Sequence, residues 1–124
     1  MAYAVKSVTI TAEMLNETYE SPNEFLFQDP EYREQDEARY GAWEHGEWHY
    51  VAINAIARIE FCLDNIPGGS AGFNTITSLG LWNIESDSDP SYFAEVYADE
   101  VSDLKDRLKA LGIGDELITV RPWS

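Results

Sequence analysis

The sequence predicts an α+β fold: an antiparallel sheet of three to four strands, one long C-terminal amphipathic helix packed on one face, and an acidic, partly helical insertion after the first strand. Three observations carry that expectation. In Trp48–Leu63, Val51, Ile53, Ala55, Ala57, Ile59, Phe61 and Leu63 share one parity, while Asn54, Arg58 and Glu60 take the other. Alternation of this kind marks a half-buried strand. In residues 92–111, Phe93, Tyr97, Val101, Leu104, Leu108 and Leu111 recur at steps of three and four, which draws one apolar stripe along a helix of about five turns. Residues 13–47 follow neither period and hold eleven acids against Arg33 and Arg39. At 124 residues the chain is read as one domain, 1–124, with 13–47 as an acidic insertion.

Taken in order, Tyr3–Ala12 sets Val8, Ile10 and Ala12 against Ser7, Thr9 and Thr11 and reads as the first strand. Helical turns are expected at Thr11–Tyr19 and again from Pro30 to Tyr40, where Asp29 can cap and Pro30 suits the first helical position. Phe25, Leu26, Phe27, Tyr32, Tyr40 and Trp43 are too many apolar residues for a free linker. The insertion is therefore expected to pack on the sheet through its aromatics and to expose Glu31, Glu34, Asp36 and Glu37. Gly41 and Gly46 punctuate its end.

The alanines of Val51–Leu63 allow a helix there, but alternation over the whole of Trp48–Leu63 favours a long strand. Asp64–Gly72 reads as a hairpin loop, and Phe73–Leu79 as the returning strand, broken by Gly80. Leu81, Trp82 and Ile84 are then expected to pack beneath the helix start, with Trp82 structural. Trp43, Trp48 and Trp123 suit a core or an interface equally. Ser91 or Asp89 can cap the helix, with Glu95 in its first turn. Lys105, Arg107 and Lys109 face the last carbonyls, and Gly112 ends it. Leu117–Val120 is expected as a short edge strand before Pro122.

The charge narrows the function. With 23 acids and 8 bases the net charge is −15, which attracts cationic partners and opposes binding to nucleic acid or to an anionic membrane surface. Cys62 stands alone, so no disulfide framework is expected, and no signal or membrane-spanning run is apparent. Glu85, Asp87 and Asp89 alternate as in a calcium loop, but Pro90 and Val96 stand where that loop needs glycine and glutamate. His45 and His49 lack ligand partners at a zinc spacing. Gly68–Gly72 has no lysine or following helix for a phosphate, and no nucleophile motif occurs. No metal, no cofactor and no enzyme activity are expected.

The acids themselves are the candidate site. Glu95, Asp99, Asp103 and Asp106 step by four, four and three along the helix, so their carboxylates make a row that costs a few tenths of a kcal/mol per like-charged pair. Residues 13–47 and 85–106 together hold 19 of the 23 acids. The partner-binding candidates are Glu31, Glu34, Asp36, Glu37, Glu85, Asp87, Asp89, Glu95, Asp99, Asp103 and Asp106.

The segment Ser78-x-Gly-Leu-Trp-x-Ile-Glu-Ser-Asp-Ser88, with Tyr92 and an acidic helix after it, resembles a pattern in small uncharacterised proteins of phages, prophages and plasmids. Asn83 stands where glycine is usual in that pattern. In size and charge the chain also resembles the anti-restriction and anti-CRISPR proteins of such elements, several of which mimic duplex DNA. That likeness implies an inhibitor in the host bacterial cytoplasm, acting on a DNA-binding protein or nucleoprotein complex through its basic surface. The alternative is a small non-enzymatic interaction or regulatory module of a mobile element, which would depend on an apolar patch instead.

Overall fold

The computed structural model describes residues 3–17, 21–22, 26–63 and 72–123. Strand β1 (Tyr3–Glu17) and strand β2 (Tyr50–Leu63) pair antiparallel along their whole length, from Tyr3 opposite Leu63 to Glu17 opposite Tyr50. The register shifts once, between Val5 and Ser7. Thr11–Glu17 is thus strand rather than helical turns. Its polar residues sit directly across from Ile56–Tyr50, and cross-strand pairing with that apolar partner outweighs a weak local helix preference.

Two strands share the outer side of β2. Strand β3 (Gly72–Thr77) runs antiparallel beside Ile56–Phe61, and strand β4 (Leu81–Glu85) beside Tyr50–Ile53. β4 goes beyond the sequence expectation: Gly80 reads as the end of a strand, and in the structure it interrupts the run before a further strand. The expected hairpin loop at 64–71 lies outside the described residues. Helix α2 (Pro90–Ala110) follows, then strand β5 (Ile118–Val120), which runs parallel to β1 at Val8–Ile10. The sheet is therefore five-stranded and mixed, not an antiparallel sheet of three to four strands. β4 and β5 point the same way, and α2 is the crossover that a parallel return requires.

α2 covers one face. Val8 and Ile10 of β1, Val51, Ile53, Ala55, Ala57 and Ile59 of β2, and Ile84 of β4 meet Phe93, Val96, Tyr97, Val101, Leu104 and Leu108 in one core. Burial of each of its valine, isoleucine, leucine and phenylalanine side chains contributes about 1.5–3 kcal/mol. The Tyr97 hydroxyl crosses the core and donates to the Arg121 carbonyl beyond β5 at 2.6 Å. Burial pushes its phenol pKa up. Trp123 closes the end of the core against Phe93 and Tyr97.

Several side chains sit elsewhere than their sequence suggests. α2 begins at Pro90, so Glu95 belongs to its second turn, not its first. Leu111 lies past the helix and is 65% exposed. Glu100, by contrast, falls on the buried stripe. Of Leu81, Trp82 and Ile84 only Ile84 packs inside, and Trp82 is 52% exposed.

The insertion contributes a 3-10 turn (Pro30–Tyr32), capped by Asp29, and helix α1 (Arg33–Glu44). No α1 residue is fully buried. Its aromatics mostly pack on one another: Phe27, Tyr40 and Trp43 form a chain of tilted rings 5.5–5.9 Å apart. The layer is therefore built sideways, with Phe27 and Tyr32 exposed, rather than laid down on the sheet.

Candidate partner-binding surface

The solvent side of α2 is set by its buried side. At 3.6 residues per turn, Glu95, Asp99, Asp103 and Asp106 share an arc of about 80°, and all four are exposed. None of these carboxylates forms a hydrogen bond or ion pair with a described residue. Over eleven residues the row spans about 16 Å, or about 5.5 Å per step. It therefore has the sign and linear order of a phosphate strand, at lower density than one charge per about 3.4 Å.

Two contacts fix which way the row leans. Tyr97 reaches toward β5, whereas Glu100 is tied to Ser78, between β3 and β4, at 2.9 Å. The acid row lies on the Glu100 side of the helix, roughly 60° beyond it for Asp103. Asp103 consequently leans to the side of the β3–β4 loop, whereas Glu95 points straight away from the core. Lys105 and Lys109 lie on the opposite flank by the same count, and Arg107 closes the row at its C-terminal end.

Of the remaining predicted acids, Asp36, Glu37, Glu85, Asp87 and Asp89 have partners inside the chain. Asp87 receives both terminal nitrogens of Arg39, at 2.6 and 2.7 Å, and Glu85 receives its Nε at 3.2 Å. The Arg39 hydrogen bonds hold the Asp87 carboxyl below its usual range, and Asp87 in turn raises the guanidinium. Asp89 caps α2 by accepting from the Ser91 N–H and hydroxyl, which lower its pKa in that order. Asp36 accepts from the Phe27 N–H at 3.1 Å. Glu37 pairs with Arg33 one turn back at 3.1 Å. Glu31 and Glu34 are exposed on α1 and its entry turn. Thus, among the described residues, Glu31, Glu34, Glu95, Asp99, Asp103 and Asp106 present carboxylates without a partner, and Arg39 joins the two acidic segments by clamping α1 to the β4–α2 turn.

Arg39 was visible in the sequence only as one of two bases among eleven acids. Its guanidinium also lies 3.9 Å over the Trp48 ring, whose Nε1 donates to the Arg39 carbonyl at 3.0 Å. Trp48 is buried, and Tyr50 meets it edge-on at 5.1 Å. The clamp therefore has a charged side and an aromatic side, each of which orients the other.

The loop between β3 and β4 is fixed with comparable care. Ser78 Oγ accepts from the Ala55 N–H at 2.8 Å and donates to Glu100, while the Ser78 N–H donates to the Ala55 carbonyl. Gly80 adopts φ +84°, and a Cβ there would lie 3.3 Å from both the Ile53 carbonyl oxygen and the Asn54 Cβ. Asn83 holds φ +60° at a bulge, its N–H donating to Glu17 of β1 at 2.7 Å. Such positions are uncommon for residues with a side chain and persist where surroundings dictate them.

The histidines are used locally. His45 Nδ1 lies 2.7 Å from the Gly41 carbonyl and His49 Nε2 3.1 Å from Asn16 Oδ1. Among the described residues no three His, Cys, Asp or Glu side chains converge on a point that would hold a metal ion. No helix of the described residues is long and apolar enough to cross a membrane. Compared with known proteins, the chain matches no family model, no curated protein and no solved structure.

Proposed function

We propose that this chain is an inhibitor of a bacterial defence complex of the restriction or CRISPR kind, acting as a DNA mimic in the basic channel of a nuclease or surveillance assembly. The observation that carries the reading is the row Glu95, Asp99, Asp103 and Asp106, exposed and unpaired among the described residues along a helix whose other side is locked into the core. In a chain with net charge −15, like charges at these spacings oppose stability. A Lys- and Arg-lined channel would compensate each carboxylate as it compensates a phosphate, and attract the protein from a distance. Glu31 and Glu34 add exposed carboxylates on the entry turn and first turn of α1, which the Arg39 clamp ties to the β4–α2 turn. The partner is a DNA-binding protein or nucleoprotein complex in the host cytoplasm, engaged without cofactor or turnover.

The test is capture from a bacterial lysate carrying restriction and CRISPR systems, using the wild-type chain and a variant with Asp99→Lys and Asp103→Lys. The reading expects a DNA-binding complex that elutes with salt, is displaced by duplex DNA and is lost in the variant. A partner retained by the variant and insensitive to duplex DNA would overturn it.

A further inference from the structure

The segment from Ser78 to Ser88 divides its residues sharply between two fates. Ser78 bridges Ala55 to Glu100, Gly80 makes the turn, Ile84 enters the core, Glu85 and Asp87 hold Arg39, Ser86 Oγ accepts from the His49 N–H, and Ser88 Oγ donates to the Glu85 carbonyl. Leu79, Leu81 and Trp82 do none of this. They are 79%, 43% and 52% exposed. Tyr92, 41% exposed, stands beside them on the first turns of α2, and together with Leu81 and Trp82 it lines a groove of about 340 Å³. Trp82 is exposed without being loose, because its Nε1 donates to the Leu79 carbonyl at 3.2 Å. Two left-handed residues, Gly80 and Asn83, bracket Leu81 and Trp82, so the backbone is shaped to turn these side chains outward.

We infer that this groove is a docking site for a peptide segment of the partner that carries a large apolar side chain flanked by lysine or arginine. An apolar anchor is called for by Trp82, held by its Nε1 hydrogen bond, with Tyr92 and Leu81 beside it: tryptophan and tyrosine are the residue types that dominate interface energetics when water is excluded. The flanking bases follow from charge complementarity: Glu85, which lines the groove, shares with Asp87 the single positive charge of Arg39, so one negative charge stays uncompensated beside it, and Tyr92 stands one turn before the exposed Glu95 on the same flank of α2 as the acid row. A second copy of the chain, itself at −15, would bring like charge to that rim. The inference rests on the mimic reading for the identity of the partner, and adds an apolar anchor to a contact otherwise made of charge.

The experiment uses the full chain and two synthetic peptides, Lys-Arg-Leu-Phe-Leu-Arg-Lys and the same peptide with Gly-Ser-Gly at its centre, titrated by calorimetry at low and moderate salt. The apolar peptide is expected to bind at least tenfold more tightly than the control. Trp82→Ser and Tyr92→Ser should each remove most of that difference, and Leu111→Ser, which truncates a still more exposed apolar residue elsewhere, should not. Equal binding of the two peptides, or indifference to Trp82→Ser, overturns the inference. So does sedimentation showing a dimer that Trp82→Ser dissolves, since the occupant is then a second copy. Capture of a DNA-binding complex that depends on Asp99 and Asp103 but not on Trp82 also overturns it, and leaves the mimic reading standing. Peptide binding that depends on Trp82, with capture unchanged by the acid reversals, overturns the mimic reading and supports the groove.

Discussion

Arg39 grips Asp87 across 48 residues of sequence, with both terminal guanidinium nitrogens on the two carboxylate oxygens. The pair is the hinge pin of the acidic surface, because α1 has no fully buried residue of its own to hold it down. Replacing Arg39 with alanine should lower stability by about 1–2 kcal/mol, from the loss of a bidentate, partly screened pair and its stacking on Trp48. Arg39→Lys should recover only part of this, since an ammonium cannot span both oxygens. Urea unfolding measures the loss. Amide exchange should quicken across residues 33–44 while the β1–β2 pairing stays protected.

The same pair predicts a pH dependence. Asp87 has its carboxyl pKa lowered on folding, chiefly by its Arg39 hydrogen bonds. Its stabilising contribution is therefore complete above the ordinary carboxylate pKa of 3.8 and is lost as pH falls through the lower folded value. The stability gap between wild type and Asp87→Asn should be constant near neutrality and close only in that acid window. A gap that closed near pH 6 would assign the contribution to some other group.

Ser78 is the single hydroxyl between a β2 amide and a buried carboxylate. Ser78→Ala leaves the Ala55 N–H and Glu100 without that partner and should cost about 2–3 kcal/mol. Combining Ser78→Ala with Glu100→Leu should cost less than the sum of the two single changes, because the second replacement removes the stranded charge. Chemical denaturation of the four proteins in the cycle measures the coupling. Additive losses would mean that the two side chains are energetically independent.

At Asn83 the backbone sits at φ +60°, a conformation glycine adopts without penalty and asparagine tolerates. Asn83→Gly should therefore leave stability within about 0.5 kcal/mol of wild type or raise it, whereas Asn83→Val should lower it by at least about 1 kcal/mol. Thermal melts of the two variants separate these outcomes.

How much of this was legible beforehand follows from where the information lies. The α2 stripe and the β2 alternation are periodic, local and long, so both elements could be read from the residues alone, as could the Asp29–Pro30 helix entry. Thr11–Glu17 could not, because its strand state is imposed by Ile56–Tyr50 across the sheet. β4 was hidden by Gly80, which is a stop signal by composition and a pivot in three dimensions. Exposure of the row Glu95 to Asp106 followed from spacing. That Glu85, Asp87, Asp36 and Glu37 answer to Arg39, Phe27 and Arg33 did not, since in a chain this acidic no count of residues says which carboxylates have found a partner. Trp82 misled for the opposite reason: large aromatics beside a helix start are usually buried, and nothing local announces a tryptophan held outward by a bulge.

The acid row offers a test in which stability and function should move apart. Asp99→Lys with Asp103→Lys places bases four residues from Glu95 and three from Asp106, so two like-charge spacings become opposite-charge ones while the 99–103 spacing stays like-charged. Each relieved or reversed pair is worth about 0.2–0.5 kcal/mol, and no described contact is lost, so the melting temperature should rise or hold. A solvated helix face without a role gains from such a change and loses nothing. A surface kept for a basic channel instead loses its inhibition of the DNA-handling complex while the protein becomes more stable. Melting curves and inhibition assays on one preparation decide the matter: a stabler protein that no longer inhibits identifies the row as the surface being read, and a stabler protein that inhibits undiminished removes it from that role.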